Sequence, residues 1–240
     1  MSFISDSLNR IKPSATMVIT AKAVQLKREG KKVIGLSAGE PDFDTPDHVK
    51  EAAIDAINKG YTKYTNVEGI PELRQAIVDK FKKDNDLSYS IDDVIVGTGG
   101  KQILYNALFS SINNDDEVII PAPYWVSYPD MTLLAGGKPI IVSCSLETDF
   151  KLTAKELEKF VTKKSKWLIL NSPSNPTGAC YSRRELEEIA EVVRRHDNLY
   201  VMTDDIYEHI VYDNFEFFTF AQVAPDLKDR VLTVNGVSKS

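Results

Sequence analysis

One lysine, Lys239, stands in a turn of mostly small residues, Asn235-Gly236-Val237-Ser238-Lys239-Ser240, straight after the β-rich run Val231-Leu232-Thr233-Val234. Open α/β sheets place their chemistry at strand carboxyl ends. A lysine partly desolvated there sheds its proton more readily and attacks carbonyl carbon as an amine. Taken alone this is weak, because most lysines that follow strands are solvated. Four upstream segments fit the same chemistry: Gly97-Thr98-Gly99-Gly100-Lys101, Pro121-Ala122-Pro123-Tyr124-Trp125, Asn171 through Gly178, and Asp204-Asp205-Ile206-Tyr207. Gly99-Gly100 ahead of a helix leaves backbone N–H groups open at a positive helix end, which favours phosphate. It is also readable as a plain tight turn. It is not a P-loop, since Ile95 stands where that pattern needs glycine and Gln102 follows Lys101 where Ser or Thr is required. Trp125 could stack on a planar heterocycle or fill a core. Asn175 could point into a pocket or only shape a turn. Asp204 could cap a helix, ligate a metal or pair with a buried cation. His48, His196 and His209 are scattered without ligand spacing, so no metal site is expected.

The elements that would position these groups alternate along the chain. Helices are expected over residues 14–29, with Gly30 as the stop, over 46–59 behind a Thr45 cap, and over 71–83 from Pro71. Strands fit 33–36, 94–96, 117–120, 139–142, 167–170, 200–203 and 231–234; further helices fit 101–112, 153–161 and 183–196. Short β-branched strands separated by helices predict an α/β fold, a mostly parallel sheet with helices on both faces. Residues 1–45 precede the alternation and read as an N-terminal arm and part of a small α/β domain, leaving 46–240 as the large domain. Parallel strands would bring all five polar ends to one edge.

Bulk properties narrow the classes. The 240 residues are 42% hydrophobic and 27% charged, ordinary for a globular protein. A net charge of −6 argues against nucleic acid as a partner. No apolar run approaches the ~20 residues of a membrane span. The start has no basic segment leading an apolar one, so no secretory signal is read, and Cys144 and Cys180 suit a reducing, cytoplasmic setting.

One ligand would use every group: a phosphorylated pyridine bearing an aldehyde, pyridoxal 5'-phosphate. The amine bonds the aldehyde, the carboxylate keeps the ring nitrogen protonated, a phenol and an amide hold the ring oxygen, an indole fixes the ring plane and the helix end takes the phosphate. With Ser37-Ala38-Gly39-Glu40-Pro41-Asp42-Phe43-Asp44-Thr45-Pro46, Tyr64, Gly69-Ile70-Pro71-Glu72-Leu73-Arg74 and Gly236-Val237-Ser238-Lys239 added to the segments above, the chain resembles the fold-type-I, class I aminotransferases. The likeness is to the aspartate aminotransferase branch, which includes bifunctional aspartate/prephenate enzymes.

That resemblance implies Lys239 as the catalytic lysine and covalent anchor of the cofactor. It implies Asp204 at the ring nitrogen, Asn175 and Tyr207 at the ring oxygen, Trp125 against the ring and near substrate, and Gly99, Gly100 and Lys101 at the phosphate. It implies Gly39 at the substrate carboxylate, Tyr64 reaching the phosphate of a neighbouring subunit in a homodimer with shared active sites, and Lys12 helping to admit a second substrate. The implied reaction is L-aspartate plus 2-oxoglutarate to oxaloacetate plus L-glutamate. Prephenate to arogenate stays open, as do aromatic or alanine aminotransferase, carbon–sulfur lyase and non-catalytic binding alternatives. Two departures stand out. The family usually has Asp-Glu-Ile-Tyr where this chain has Asp204-Asp205-Ile206-Tyr207. The family chain also continues past the lysine to arginines for phosphate and substrate carboxylate. Against that pattern the sequence reads as C-terminally truncated, and these 240 residues alone are expected to fold poorly and show little activity.

Overall fold

The computed structural model describes residues 3–36 and 39–239, so Met1, Ser2, Ser37, Ala38 and Ser240 lie outside it. Five parallel strands form one sheet: β1 (Glu117–Ala122), β2 (Lys138–Ser143), β3 (Ser165–Asn171), β4 (Tyr200–Asp204) and β5 (Val231–Val234), in the order β2-β1-β3-β4-β5. Connections from β1 run first to one side and then to the other, so the order reverses between β1 and β3. The crevice at such a reversal is where open α/β sheets bind ligands.

Eight helices accompany the sheet among the described residues: α1 (Ala15–Arg28), α2 (Asp47–Asn58), α3 (Pro71–Asn85), α4 (Gly100–Ser111), α5 (Ser127–Leu134), α6 (Ala154–Phe160), α7 (Arg183–Arg194) and α8 (Phe220–Val223). Alternation along the strands sorts them into two layers. Ile119, Leu168, Leu170 and Val201 point to one face and pack with Leu157 of α6, Leu186, Ile189 and Val193 of α7, and Phe220 of α8. Val118, Ile120, Ile169, Met202 and Val234 point to the other and pack with Leu104 and Leu108 of α4 and Tyr128 and Met131 of α5. Both sheet faces are therefore buried, which explains why the strands read as continuous apolar runs. α7 shows how the sequence sets an element: Ser182 and Glu185 form a reciprocal capping box at its start, and its apolar residues recur on one side.

Two expected strands are absent. Residues 94–96 are coil, because their backbone groups are taken elsewhere: Val96 N–H donates to Glu68 C=O at 2.9 Å, and the buried Arg74 side chain donates to Val94 C=O at 3.1 Å. Arg74 thereby staples α3 to the segment leading into Gly99. Residues 33–36 are also coil, with Ile34 82% and Leu36 91% exposed. Among the described residues no strand pairs with them, and an apolar run without a partner does not hold β-structure. The start of α2 also shifts by one, with Pro46 rather than Thr45 at the cap. α5 lies outside the helices expected from the sequence. It is eight residues long with an apolar side chain on almost every aspect, too short and too uniform for periodicity to reveal.

Burial begins late. Among the described residues, the first buried side chain is Arg74, and α2 has none. Ile54, Ile57, Tyr64 and Val67 stand exposed.

Candidate active site

The register of the sheet lines up the site. Asn171 at the end of β3 sits opposite Asp204 at the end of β4, and Asp204 sits opposite Val234 at the end of β5. Asp204 is 5% exposed. Its Oδ2 accepts a hydrogen bond from the Tyr128 hydroxyl at 2.6 Å, and the Ile206 N–H also donates to the carboxylate. Burial pushes its carboxyl above the usual carboxylate range, and those two donors only partly offset the shift. Among the described residues its partners are thus neutral. A buried acid held this way keeps its proton more readily, and a cation placed beside it would restore its charge.

Neutral amides brace the same edge. Asn171 Nδ2 donates to the Asp204 carbonyl at 2.7 Å, and Asn171 Oδ1 accepts from the Asn175 N–H at 2.7 Å. The Asn175 side chain lies close enough to the Tyr207 phenol to act on its charge. Burial raises the Tyr207 pKa, the nearby Asn175 amide tempers the rise, and the Asp204 charge adds to it, so the phenol keeps its proton to donate. On the other flank the half-buried Trp125 packs edge-on against Tyr128, ring centroids 5.4 Å apart, and Lys101 Nζ lies 4.9 Å from the Trp125 ring centre. A crevice lined by Pro121, Tyr124, Tyr128, Asn171 and Asn175 opens between the ends of β1 and β3, at the reversal of strand order.

The start of α4 is open. Gly99 has φ +92°, and no side chain caps the helix. A Cβ placed on Gly99 or Gly100 would meet nothing within 4 Å. The Gly99 N–H donates to the Gly97 carbonyl at 2.9 Å, so the donors this helix start could offer an anion are those of Gly100 and Lys101. Gln102 folds back instead, its Oε1 accepting from Thr98 N–H at 2.6 Å and from Thr98 Oγ1 at 2.9 Å, which shapes the loop just ahead of the helix. Lys239 Nζ donates to the Gly39 carbonyl, which brings the lysine turn against the N-terminal segment.

The sequence-predicted residues therefore divide. Asp204, Asn175, Tyr207, Trp125 and Lys101 are joined by contacts running along one sheet edge, with Gly99 and Gly100 beside Lys101. Lys239 and Gly39 meet each other. Tyr64 is fully exposed and Lys12 is exposed, and neither is drawn to that edge by a described contact. Tyr128 is not among the residues the sequence points to, and its hydroxyl meets Asp204 only through the fold. Among the described residues no cluster of His, Cys, Asp and Glu could hold a metal.

Asp205, next to Asp204, faces inward and is 2% exposed. Thr203 donates to its Oδ1, while Oδ2 has no hydrogen-bond partner among the described residues although the Thr219 hydroxyl stands near enough to temper the charge. Burial lifts its pKa from 3.8 to about 7. Between those values the folded chain binds a proton that the unfolded chain has released, so stability falls as pH rises through the window, by about 1.4 kcal/mol per unit as an upper guide. Asp205→Asn removes the titration and keeps the shape. The variant is expected to melt close to wild type near pH 5 and clearly above it near pH 8, measured by thermal scans across that range. A gap independent of pH would contradict this.

The chain belongs to the aminotransferase class I and II family, whose profile matches residues 31–240. Within it, the chain is 61% identical over 240 residues to a protein of Rickettsia bellii named probable aspartate/prephenate aminotransferase, covering all of this chain and 60% of that one. It is 60% identical, with the same coverage, to the aspartate/prephenate aminotransferase of Cereibacter sphaeroides. Its fold superposes on the crystal structure of the aspartate aminotransferase of Rhizobium meliloti with a TM-score of 0.96 at 51% identity, covering 100% of this chain and 60% of that one. The chain spans about 60% of the length of these relatives.

Proposed function

We propose that the protein carrying this chain transfers amino groups from L-aspartate to 2-oxoglutarate, giving oxaloacetate and L-glutamate, with pyridoxal 5'-phosphate as cofactor. Conversion of prephenate to arogenate is the second reaction the reading admits. Buried Asp204, whose partners among the described residues are neutral, carries the proposal, because a cationic ring nitrogen beside it would supply the charge partner that burial leaves it without. The other groups fit the remaining features of the cofactor. The uncapped start of α4 with Gly99, Gly100 and Lys101 suits the phosphate, the Asn175–Tyr207 pair the ring oxygen, and the Trp125 indole one face of the ring.

When bound, pyridoxal phosphate supplies an electron sink for the pair released at the substrate α-carbon. The chain's own residues do the rest. Lys239 anchors the cofactor and then, as a free amine, takes the proton from the α-carbon and returns it on the other side of the transfer. Asp204, kept in place by Tyr128 and Asn171, maintains charge at the ring nitrogen. Gly39 presents backbone to the substrate carboxylate. Lys12 lies exposed ahead of α1 and helps admit the second substrate in this reading.

The same reading divides the chain into an N-terminal arm with part of a small domain (1–45) and a large domain (46–240). It makes the protein a cytoplasmic homodimer in which Tyr64 reaches the partner's phosphate site. The exposed Ile54, Ile57, Tyr64 and Val67 and the free thiols of Cys144 and Cys180 support those parts. The test is chemical. The full-length protein incubated with pyridoxal phosphate should turn yellow and bleach on adding L-aspartate. Borohydride reduction followed by peptide mass spectrometry should leave the pyridoxyl mass on Lys239. No label there, or an equal label on surface lysines, would overturn the proposal.

A further inference from the structure

Glu208 follows Tyr207 directly and is 5% exposed, yet its carboxylate is charged and crowded with donors. Lys80 on α3 donates to Oε1, and Asn85 at the end of α3 donates to Oε2 at 3.1 Å. Asn235, the first residue after β5, donates from Nδ2 to Oε1 at 2.8 Å, and His209 Nε2 lies 3.2 Å from Oε1. Lys80 also donates to Asn85 Oδ1 at 2.7 Å and lies 4.0 Å from Asp84. Burial opposes the charge on Glu208, but the Lys80, Asn85 and Asn235 donors outweigh it and hold the carboxyl below its ordinary range.

The Asn235 amide is engaged at both ends, since its Oδ1 accepts from the Gly236 N–H at 2.7 Å. Gly236 then passes close to Ile206, where a Cβ would come to 3.0 Å from the Ile206 Cδ1. Two arms of the site are thus tied to one ion pair, its glutamate buried and its lysine partly so. Tyr207 is one residue from Glu208. Lys239 is four residues from Asn235, a span that cannot exceed about 14 Å even fully extended. A buried ion pair is weak evidence for stability, because apolar residues of equal volume often serve as well. What this pair adds is a fixed point between α3, the Tyr207 loop and the lysine turn.

We propose that Glu208 is a positioning residue: paired with Lys80, it sets the placement of Lys239 relative to Tyr207 by clamping Asn235. The inference rests on the cofactor reading above for its catalytic consequence, while its structural half stands on the hydrogen bonds alone. Glu208→Gln keeps the shape but leaves Lys80 without its counter-charge. Asn235→Ala cuts the link to the lysine turn and leaves the Glu208–Lys80 pair intact, so it remains informative if the first variant fails to fold.

In the full-length protein with pyridoxal phosphate, each variant is expected to lower kcat by about 10-fold or more with KM for the amino acid changed by less than about 3-fold, as misplacement of a reacting group predicts. The pH midpoint of the bound cofactor's visible absorbance should move by about half a unit or more, since the surroundings of the Lys239 nitrogen change. In cofactor-free protein, acetylation of Lys239 by acetic anhydride, measured by peptide mass spectrometry against exposed Lys163, should change by about 3-fold or more in Asn235→Ala, as expected for an amine released from a held position. If wild-type Lys239 takes the borohydride label but Asn235→Ala matches wild type in absorbance midpoint and acetylation ratio, the positioning role is overturned and the cofactor reading stands. If wild-type Lys239 takes no label, the cofactor reading falls, and the acetylation ratio alone decides whether the clamp holds the lysine.

Discussion

Lys239→Ala is expected to reduce amino transfer from L-aspartate by at least about 10³-fold, within the range seen when a positioned acid–base group is lost. On the proposed function two losses combine in this variant. The cofactor would lose its covalent anchor, and the α-carbon would lose the amine that takes and returns its proton. The fold should survive, because the Lys239 side chain is only partly buried and its described contact is a single hydrogen bond to the Gly39 carbonyl. Thermal melting of the cofactor-free variant within a few degrees of wild type, together with the activity loss, would fit this account. Addition of a small primary amine should restore part of the rate by supplying the missing base from solution. Wild-type turnover without Lys239 would sink the assignment, and so would a collapsed fold with no rescue of the base function.

Much of this site could be read from the chain because its residues sit where the element pattern changes. Asn171, Asp204 and the lysine turn each come at the end of a short apolar run, and a parallel sheet places all such ends on one edge. The glycine turn was correctly placed before α4 although the strand assigned ahead of it is coil, because Gly99-Gly100 marks a helix start whatever precedes it. Other features left no local signal. The backbone of residues 94–96 is satisfied by Glu68 and Arg74, partners some 20 or more positions away, so its apolar composition imitated a strand. Tyr128 joins the site through its hydroxyl, which reaches Asp204 across 76 residues of chain. Glu208 read as one acidic residue in a motif. Its buried contacts with Lys80, Asn85 and Asn235 depend on α3 packing beside the lysine turn, which no spacing encodes.

Asp204→Asn should separate stability from function. In the cofactor-free protein the carboxyl is buried, its described partners are neutral, and its pKa is raised by that burial. The folded chain therefore holds a proton at pH values where the unfolded chain has lost it, and the acid's contribution to stability declines as pH rises above the ordinary carboxylate range. An amide of the same shape escapes that decline. It still accepts the Tyr128 hydroxyl, so the cofactor-free variant is expected to melt at or above wild type at neutral pH. Activity should move the other way. The amide has no charge with which to hold a cationic ring nitrogen, and losing a charge-assisted hydrogen bond of about 1.5–3 kcal/mol corresponds to roughly 10- to 150-fold in cofactor affinity. A further loss in kcat should persist at saturating cofactor, because an uncharged ring nitrogen accepts electrons less well. Melting scans of the cofactor-free forms, cofactor titrations and saturated kinetics would measure the three effects separately. A variant that was less stable yet fully active would show that Asp204 is a packing residue and not the anion the site is built around.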